Sequence, residues 1–364
     1  MAQLTEAEYR ALPIDSYSTI KVFLEDRKKY YKAFILNEPV KEEKSDALTF
    51  GNLVDCLRLT PDQFESKFTM SISQIPTGQY LKFCDQLLKY TMYAVNRDTG
   101  EITRTMDDMM LDAYNACKYD RDNNIVDFKR DSFETAKAKF LNPESGLETY
   151  YKQCRDSVGK EIIDLTMLEN AQRLVTNLSE NFATRDIINL VSGEDIKVFN
   201  QFPIVGELGI AFTKSVPYPL KCLVDKLVIN RLTKEIDIYD LKTCWDNEQE
   251  FIHNYFKYKY YIQGGVYFYL VEEWRKKEKS LADYKVNYPK FIVTESTSYK
   301  NPLIYYTTME NFIQGMKGFR IKSRYYPGVI KAVTDLQWHK ENAVWTISKD
   351  NHIANGIVNM PIFE

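Results

Sequence analysis

Residues 220–243 read LKCLVDKLVINRLTKEIDIYDLKT, and after a short acidic link residues 254–271 read NYFKYKYYIQGGVYFYLV. The first stretch is two β-type runs joined by a polar turn. Strand side chains repeat every two residues, so Leu223, Asp225, Leu227 and Ile229 share one face of the first run. Ile236, Ile238, Asp240 and Lys242 share one face of the second. Acids and a lysine thus stand among aliphatic side chains, on faces that otherwise read as core. A charge in such a place is paired, liganded or catalytic.

A buried salt bridge between neighbouring strands would account for Asp225, Asp240 and Lys242 alone. The next segment weighs against that reading. Phe251 to Trp274 has helical length and no proline, and the spacing predicts one helix with Phe256, Tyr260, Gln263, Tyr267 and Trp274 near one face. Gln263 and Tyr267 are four apart, so two polar tips project from neighbouring turns of an aromatic face. An aspartate, an Asp-x-Lys one strand later and a Gln-x-x-x-Tyr on the next helix form a rarer conjunction than any one part.

Composition sets the bounds around this stretch. With 364 residues, 44% of them hydrophobic, the chain can bury a sizeable core, and one decorated α/β domain reaches this length. The formal net charge of −3 implies no bulk attraction to nucleic acid, so a DNA site would have to be a local basic groove. No basic-then-apolar leader and no apolar run of membrane length is present, and a cytoplasmic protein that does not engage membranes is expected. Cys56, Cys84, Cys117, Cys154, Cys222 and Cys244 form no CxxC and read as small buried hydrophobes. His253, His339 and His352 lack metal-ligand spacing, so no zinc site is expected.

On these residues the chain resembles the PD-(D/E)XK nuclease superfamily, in particular the RecB-like branch with exonuclease VIII and the phage λ-type recombination exonucleases. The matches are Val224-Asp225-Lys226, Asp240-Leu241-Lys242-Thr243 and Gln263-Gly264-Gly265-Val266-Tyr267. Weaker matches are Gly51-Asn52-Leu53-Val54-Asp55 with Leu59-Thr60-Pro61-Asp62-Gln63-Phe64, and Glu207 in VGELGI. The resemblance runs from about Ser16 to Glu295, thinly between Phe68 and Ile163. Two positions depart from the pattern: valine, not proline, precedes Asp225, and Asp55 stands where the branch has histidine.

The resemblance implies an α/β fold with a restriction-endonuclease-like core, a mixed central β-sheet flanked by helices. It implies a single nuclease domain over 1–364: an N-terminal helical part (1–67), an insertion or cap (68–163), the catalytic core (164–310) and a C-terminal helix and tail (311–364). It further implies a Mg²⁺-dependent DNA exonuclease, with Mn²⁺ able to substitute. Asp225, Asp240, the Leu241 carbonyl, Glu207 and Asp55 would be the metal ligands, with Lys242, Gln263 and Tyr267 completing the catalytic set. Relatives with an iron–sulfur cluster carry three cysteines after the core. No cysteine follows Cys244, so no such cluster is expected. The implied partners are double-stranded DNA ends, a single-strand annealing protein and other copies of the chain, in the cytoplasm of a bacterial or phage-infected cell. Two rivals are a structure-specific endonuclease and a catalytically silent DNA-binding subunit of nuclease fold.

Elsewhere the pattern is thinner. Ser16 and Ser18 are candidate N-caps for a helix over Thr19–Phe34, and Lys41–Asp46 reads as a loop. Phe50–Leu59 reads as a helix that turns Asp55 inward, or leaves it outside near Arg58. Asn96–Glu101 predicts a hairpin turn, and the run Phe202–Phe212 a strand carrying Glu207. Met309–Arg324 reads as an amphipathic helix, weakened by Gly315 and Gly318. Its cations Lys317, Arg320, Lys322 and Arg324, with Tyr325 and Tyr326, read either as a solvated helix end or as a DNA-facing cluster.

Overall fold

The computed structural model describes residues 4–38, 45–71, 75–95, 103–120, 124–209, 217–297 and 300–358. The turn expected at Asn96–Glu101 lies outside them. The chain divides into two compact units, one made of Met1–Pro61 with Glu169–Glu364, the other of Asp62–Leu168.

The first unit is built on one seven-stranded mixed sheet. In chain order its strands are β1 (Asp15–Ser16), β2 (Ile196–Leu208), β3 (Tyr218–Asn230), β4 (Glu235–Cys244), β5 (Lys285–Val286), β6 (Lys290–Glu295) and β7 (Leu303–Tyr306). The polar turn read between the two β-type runs is the β3–β4 hairpin loop, with Lys234 at φ 54°. β3 is the organising strand. Along one edge it runs antiparallel to β2, from Ile196↔Asn230 to Leu208↔Tyr218, and the ladder skips Gln201 and Asp225. Its other edge is shared: β1 takes Leu220 and Lys221 in parallel, and β4 takes Lys226 to Asn230 antiparallel. Past Tyr239, β4 leaves β3 and continues only beside β6, parallel, from Tyr239↔Lys290 to Cys244↔Glu295. A fork therefore opens between β3 and β4, with Asp225 on one arm and Asp240 on the other.

The helices of this unit that bear on the fork are α1 (Glu6–Ala11), α2 (Tyr17–Glu25), α3 (Asp46–Leu59), α4 (Arg185–Ile188), α5 (Glu250–Lys257), α6 (Tyr260–Lys277), α7 (Met309–Lys317) and α8 (Val329–Asn342). Ile262, Val266 and Leu270 of α6 are buried in one core with Leu220, Cys222 and Val224 of β3 and with Val329, Val333 and Leu336 of α8. A side chain at Gly206 of β2 would come within 2.9 Å of Leu270, so α6 rests directly on the sheet there. α3 lies on the other face. A side chain at Gly51 would meet the Thr243 hydroxyl at 3.2 Å, and Thr243 points away from the side chain of Asp240 three positions earlier.

Helices flanking a mixed sheet are the α/β architecture expected. Four helix boundaries differ. The expected Thr19–Phe34 helix is broken at the extended Asp26 into Tyr17–Glu25 and Arg27–Tyr30, followed by a π-helical turn over Tyr31–Ile35, and the expected Phe50–Leu59 helix already begins at Asp46. The expected Phe251–Trp274 helix is two helices, α5 and α6, because Lys259 takes the left-handed conformation at φ 61°. The expected Met309–Arg324 helix stops at Lys317, where Gly318 turns to φ 83°. Beyond that glycine the chain forms a two-stranded hairpin, β8 (Phe319–Ile321) and β9 (Arg324–Tyr326).

The second unit has a core of its own. Helices Gly78–Ala94, Met106–Lys118, Phe133–Leu141 and Leu147–Asp156 bury Phe83, Leu87, Met109, Phe128, Phe140 and Tyr151. Strands Phe68–Met70 and Glu161–Ile163 pair in parallel at its two chain ends.

Candidate active site

Where β4 leaves β3, backbone groups that a ladder would have satisfied need other partners. Side chains supply them. The Leu241 N–H donates to Asp225 Oδ2 at 2.9 Å, and the Leu223 carbonyl accepts from the Tyr267 hydroxyl at 2.7 Å. From β2, Gln201 Nε2 donates to Asp225 Oδ1 at 3.2 Å, aimed there by a left-handed backbone at φ 50°. Asp225 is thus held from two sides at the mouth of the fork.

Asp240, only 1% exposed, faces α6. Gln263 Nε2 donates to Asp240 Oδ1 at 2.7 Å and to the Tyr267 oxygen at 3.0 Å. Asp240 Oδ2 forms an ion pair with Lys242 and accepts no well-directed hydrogen bond, and Gln263 Oε1 is likewise buried without a donor. The Lys242 ammonium also stands 3.5 Å from the Leu241 carbonyl and 4.9 Å from the centre of the Tyr260 ring.

The electrostatics follow from this crowding. Burial raises the Asp240 carboxyl to about 7; Lys242 opposes that shift and Asp225 adds to it. Burial also raises Asp225, against Lys242, the Leu241 N–H and the Gln201 amide. The two carboxyls are close enough for each to act as the other's hydrogen-bond partner. Burial draws Lys242 down, but Asp240, Tyr260 and Asp225 together raise it, so it stays an ammonium. Burial, then Asp240 and Asp225, raise Tyr267 well above its ordinary value and keep its proton in place.

Five sequence-derived residues, Asp225, Asp240, Lys242, Gln263 and Tyr267, therefore meet in one hydrogen-bonded cluster, with Leu241 inside it. Two others do not join them. Glu207 is exposed and pairs with Pro219, six positions before Asp225 along β3, which is about 20 Å at the usual strand rise. Register, set by the long β2–β3 ladder, corrects that assignment. Asp55 is half-buried on α3, on the stripe of Gly51 and Leu59, against the face opposite the Asp240 side chain. Among the described residues no group of three or more His, Cys, Asp or Glu side chains is placed to hold a metal ion, so neither acid completes such a group with Asp225 and Asp240.

The residues present still suit a hard divalent cation. With both carboxyls ionised, two negative charges would face the single Lys242 ammonium, and a bound cation would offset the remainder. One buried oxygen, Gln263 Oε1, lacks a hydrogen-bond donor, Asp240 Oδ2 meets only the Lys242 ammonium, and Mg²⁺ takes oxygen ligands.

Three participants were not read from the sequence. Gln201 depends on a local break in the β2–β3 ladder that no residue pattern announces. Tyr260 lies on the expected aromatic face, but its place beside Lys242 depends on the turn at Lys259. Lys21 of α2 stands 4.8 Å from the Tyr258 ring centre. Burial lowers it, and Lys259 and Lys242 push the same way against Glu25.

No protein-family model matches this chain. No curated protein matches it either. Among solved structures it is similar to a crystal structure from Eubacterium rectale named as a candidate exonuclease, at 14% identity and a TM-score of 0.44, covering 100% of this chain and 97% of that one. Likeness of that degree carries no inference about this chain.

Proposed function

We propose that this chain is a Mg²⁺-dependent deoxyribonuclease of the PD-(D/E)XK type, digesting one strand of duplex DNA from its ends, 5′-to-3′, in recombination or phage DNA processing. The observation that carries the reading is the fork itself: Asp225 and Asp240 side by side, with Lys242 on one of them and Gln263 and Tyr267 behind. Asp225, Asp240 and the Leu241 carbonyl would hold the cation. Bound there, Mg²⁺ supplies Lewis acidity toward water and the phosphate.

The chain's own groups do the rest. Lys242 is a fixed positive charge beside the carboxylates, where it can hold an attacking water or a phosphate oxygen. Gln263 fixes the Asp240 rotamer, and Tyr267 fixes Gln263 while tying α6 to the Leu223 carbonyl. Gln201 and the Leu241 N–H do the same for Asp225. A buried salt bridge kept only for stability is the poorer account, since such pairs are often no better than apolar packing and would leave the buried Gln263 Oε1 without a role.

The test is one gel assay of end-labelled linear duplex and covalently closed circular duplex, each with Mg²⁺ or EDTA. Linear DNA should be degraded only with Mg²⁺, and closed circles should survive. Nicking of the circles at a comparable rate would replace the exonuclease with an endonuclease. Asp240→Asn keeps the side-chain volume and removes the charge, and should lower the rate by at least about 100-fold, a loss of ~3 kcal/mol in transition-state stabilisation. Near-normal activity in the folded variant would remove the fork from consideration.

A further inference from the structure

We infer that the β8–β9 hairpin is a contact element for duplex DNA, gripping backbone phosphates beside the fork; the choice of partner rests on the nuclease reading of that site. The hairpin and its approach carry four exposed cations, Lys317, Arg320, Lys322 and Arg324. Among the described residues none of the four forms an ion pair, in a chain whose formal net charge is −3. Several cations elsewhere are matched: Lys290 with Asp237 at 2.7 Å, Lys300 with Asp246 at 2.8 Å, Lys331 with Asp335 at 2.8 Å. Residues 317–328 read KGFRIKSRYYPG, four cations with no acid among them, so positive charge is locally uncompensated along the hairpin.

The projection is stiff at its root. Phe319 and Tyr326 stack at 5.1 Å with planes 2° apart, and Phe256 meets both at 5.9 Å. Gly318 and Gly328 close the base. A side chain at Gly328 would lie 2.3 Å from the Gly318 nitrogen, so the two backbones touch. The guanidiniums are pre-set as well, Arg320 at 5.4 Å from the Tyr325 ring centre and Arg324 at 5.1 Å from that of Tyr326. At the tip, Lys322 takes φ 51°, a conformation for which glycine or asparagine is the easy choice. A cation is kept there against the turn's preference.

Position and shape suggest the partner. Tyr261 packs on Phe319 at 5.1 Å, and its neighbour Tyr260 carries Lys242 over its ring, so the hairpin packs against the same helix start that lines the fork. A narrow two-stranded ribbon is a shape that the major groove of a duplex admits. Its cations would pair with phosphates, and the exposed Ile321 and Tyr325 make too small a patch to dock a protein.

The experiment measures binding of the full chain to a labelled linear duplex by fluorescence anisotropy in EDTA, across a salt series. Replacing Arg320, Lys322 and Arg324 together with alanine should weaken binding at least about 10-fold at low salt. It should also flatten the log K against log salt slope by about 2.7, at ~0.9 per phosphate contact. Lys322→Gly relieves the tip backbone, keeps the fold and should flatten the slope by about 0.9. An unchanged slope in both variants overturns the inference. So does lost affinity for anionic vesicles with duplex binding intact, which would place the hairpin at a lipid surface. Hairpin-dependent binding without any hydrolysis would sink the nuclease reading and leave the hairpin standing. Hydrolysis with hairpin-independent binding would do the reverse.

Discussion

Burial holds the Asp240 carboxyl at about 7, and that shift has consequences for stability as well as chemistry. The group's folded value lies above its ordinary 3.8, so the folded state binds more protons between those limits. Its contribution to stability is complete below the ordinary value and is lost as pH rises toward 7. Asparagine at 240 does not titrate. The stability of Asp240→Asn relative to the unmodified chain should therefore increase from pH 5 to pH 8, measured by urea unfolding at each pH. A difference that stays constant would mean that Asp240 titrates near its ordinary value. At this scale the sequence was informative because its periodicities are rigid. Two-residue alternation put Asp240 and Lys242 on one face, and a four-residue step put Gln263 and Tyr267 on neighbouring turns. Gln201 was hidden because it reaches Asp225 through a skipped position in a ladder, and Glu207 was misplaced because register is a property of two strands together.

Helix α6 owes its placement to close approach, and this gives a prediction at the scale of elements. A side chain at Gly315 of α7 would lie 2.2 Å from the Tyr261 carbonyl oxygen, and one at Gly265 would lie 3.2 Å from the Gly315 backbone. Both contacts are with backbone, which cannot swing aside. Gly315→Ala should push the helices apart and cost about 2–3 kcal/mol in denaturant unfolding, the usual scale of overpacking. Because α6 carries Gln263 and Tyr267, activity should fall further than the population of folded protein does. A stability loss below ~0.5 kcal/mol would show that α6 and α7 separate freely. Glycines within Met309–Arg324 weakened the expected helix in the sequence. The structure gives them two jobs, a crossing point at Gly315 and a terminus at Gly318. Composition could flag the anomaly, but only the neighbouring helix explains it.

For the whole molecule, the two-unit division carries its own prediction. The segment 62–168 holds a core of Phe83, Leu87, Met109, Phe128, Phe140 and Tyr151, closed by a parallel strand pair at its ends. Expressed alone, it should unfold cooperatively on heating, followed by circular dichroism; a gradual, featureless melt would show that it borrows its order from the rest of the chain. The sequence was least legible here, since helices packing on one another leave no motif beyond apolar spacing. The mixed sheet was legible because strands with charges on core faces advertise themselves.

Chain order also sets a timetable. β1 at Asp15–Ser16 has its sheet partners in Leu220 and Lys221, about 200 residues later. At the usual 5–20 residues per second of synthesis, the start of the chain waits roughly 10–40 s for the strand it joins. During that wait 62–168 emerges with its core residues all present. On the ribosome the segment between can finish folding first, and the unit that holds Asp225 and Asp240 takes shape only after β3 and β4 have been made. The opening strand then closes beside β3, where Asp15 receives hydrogen bonds from Tyr30 at 2.8 Å and from Lys340 at 2.7 Å, a residue made near the end of synthesis.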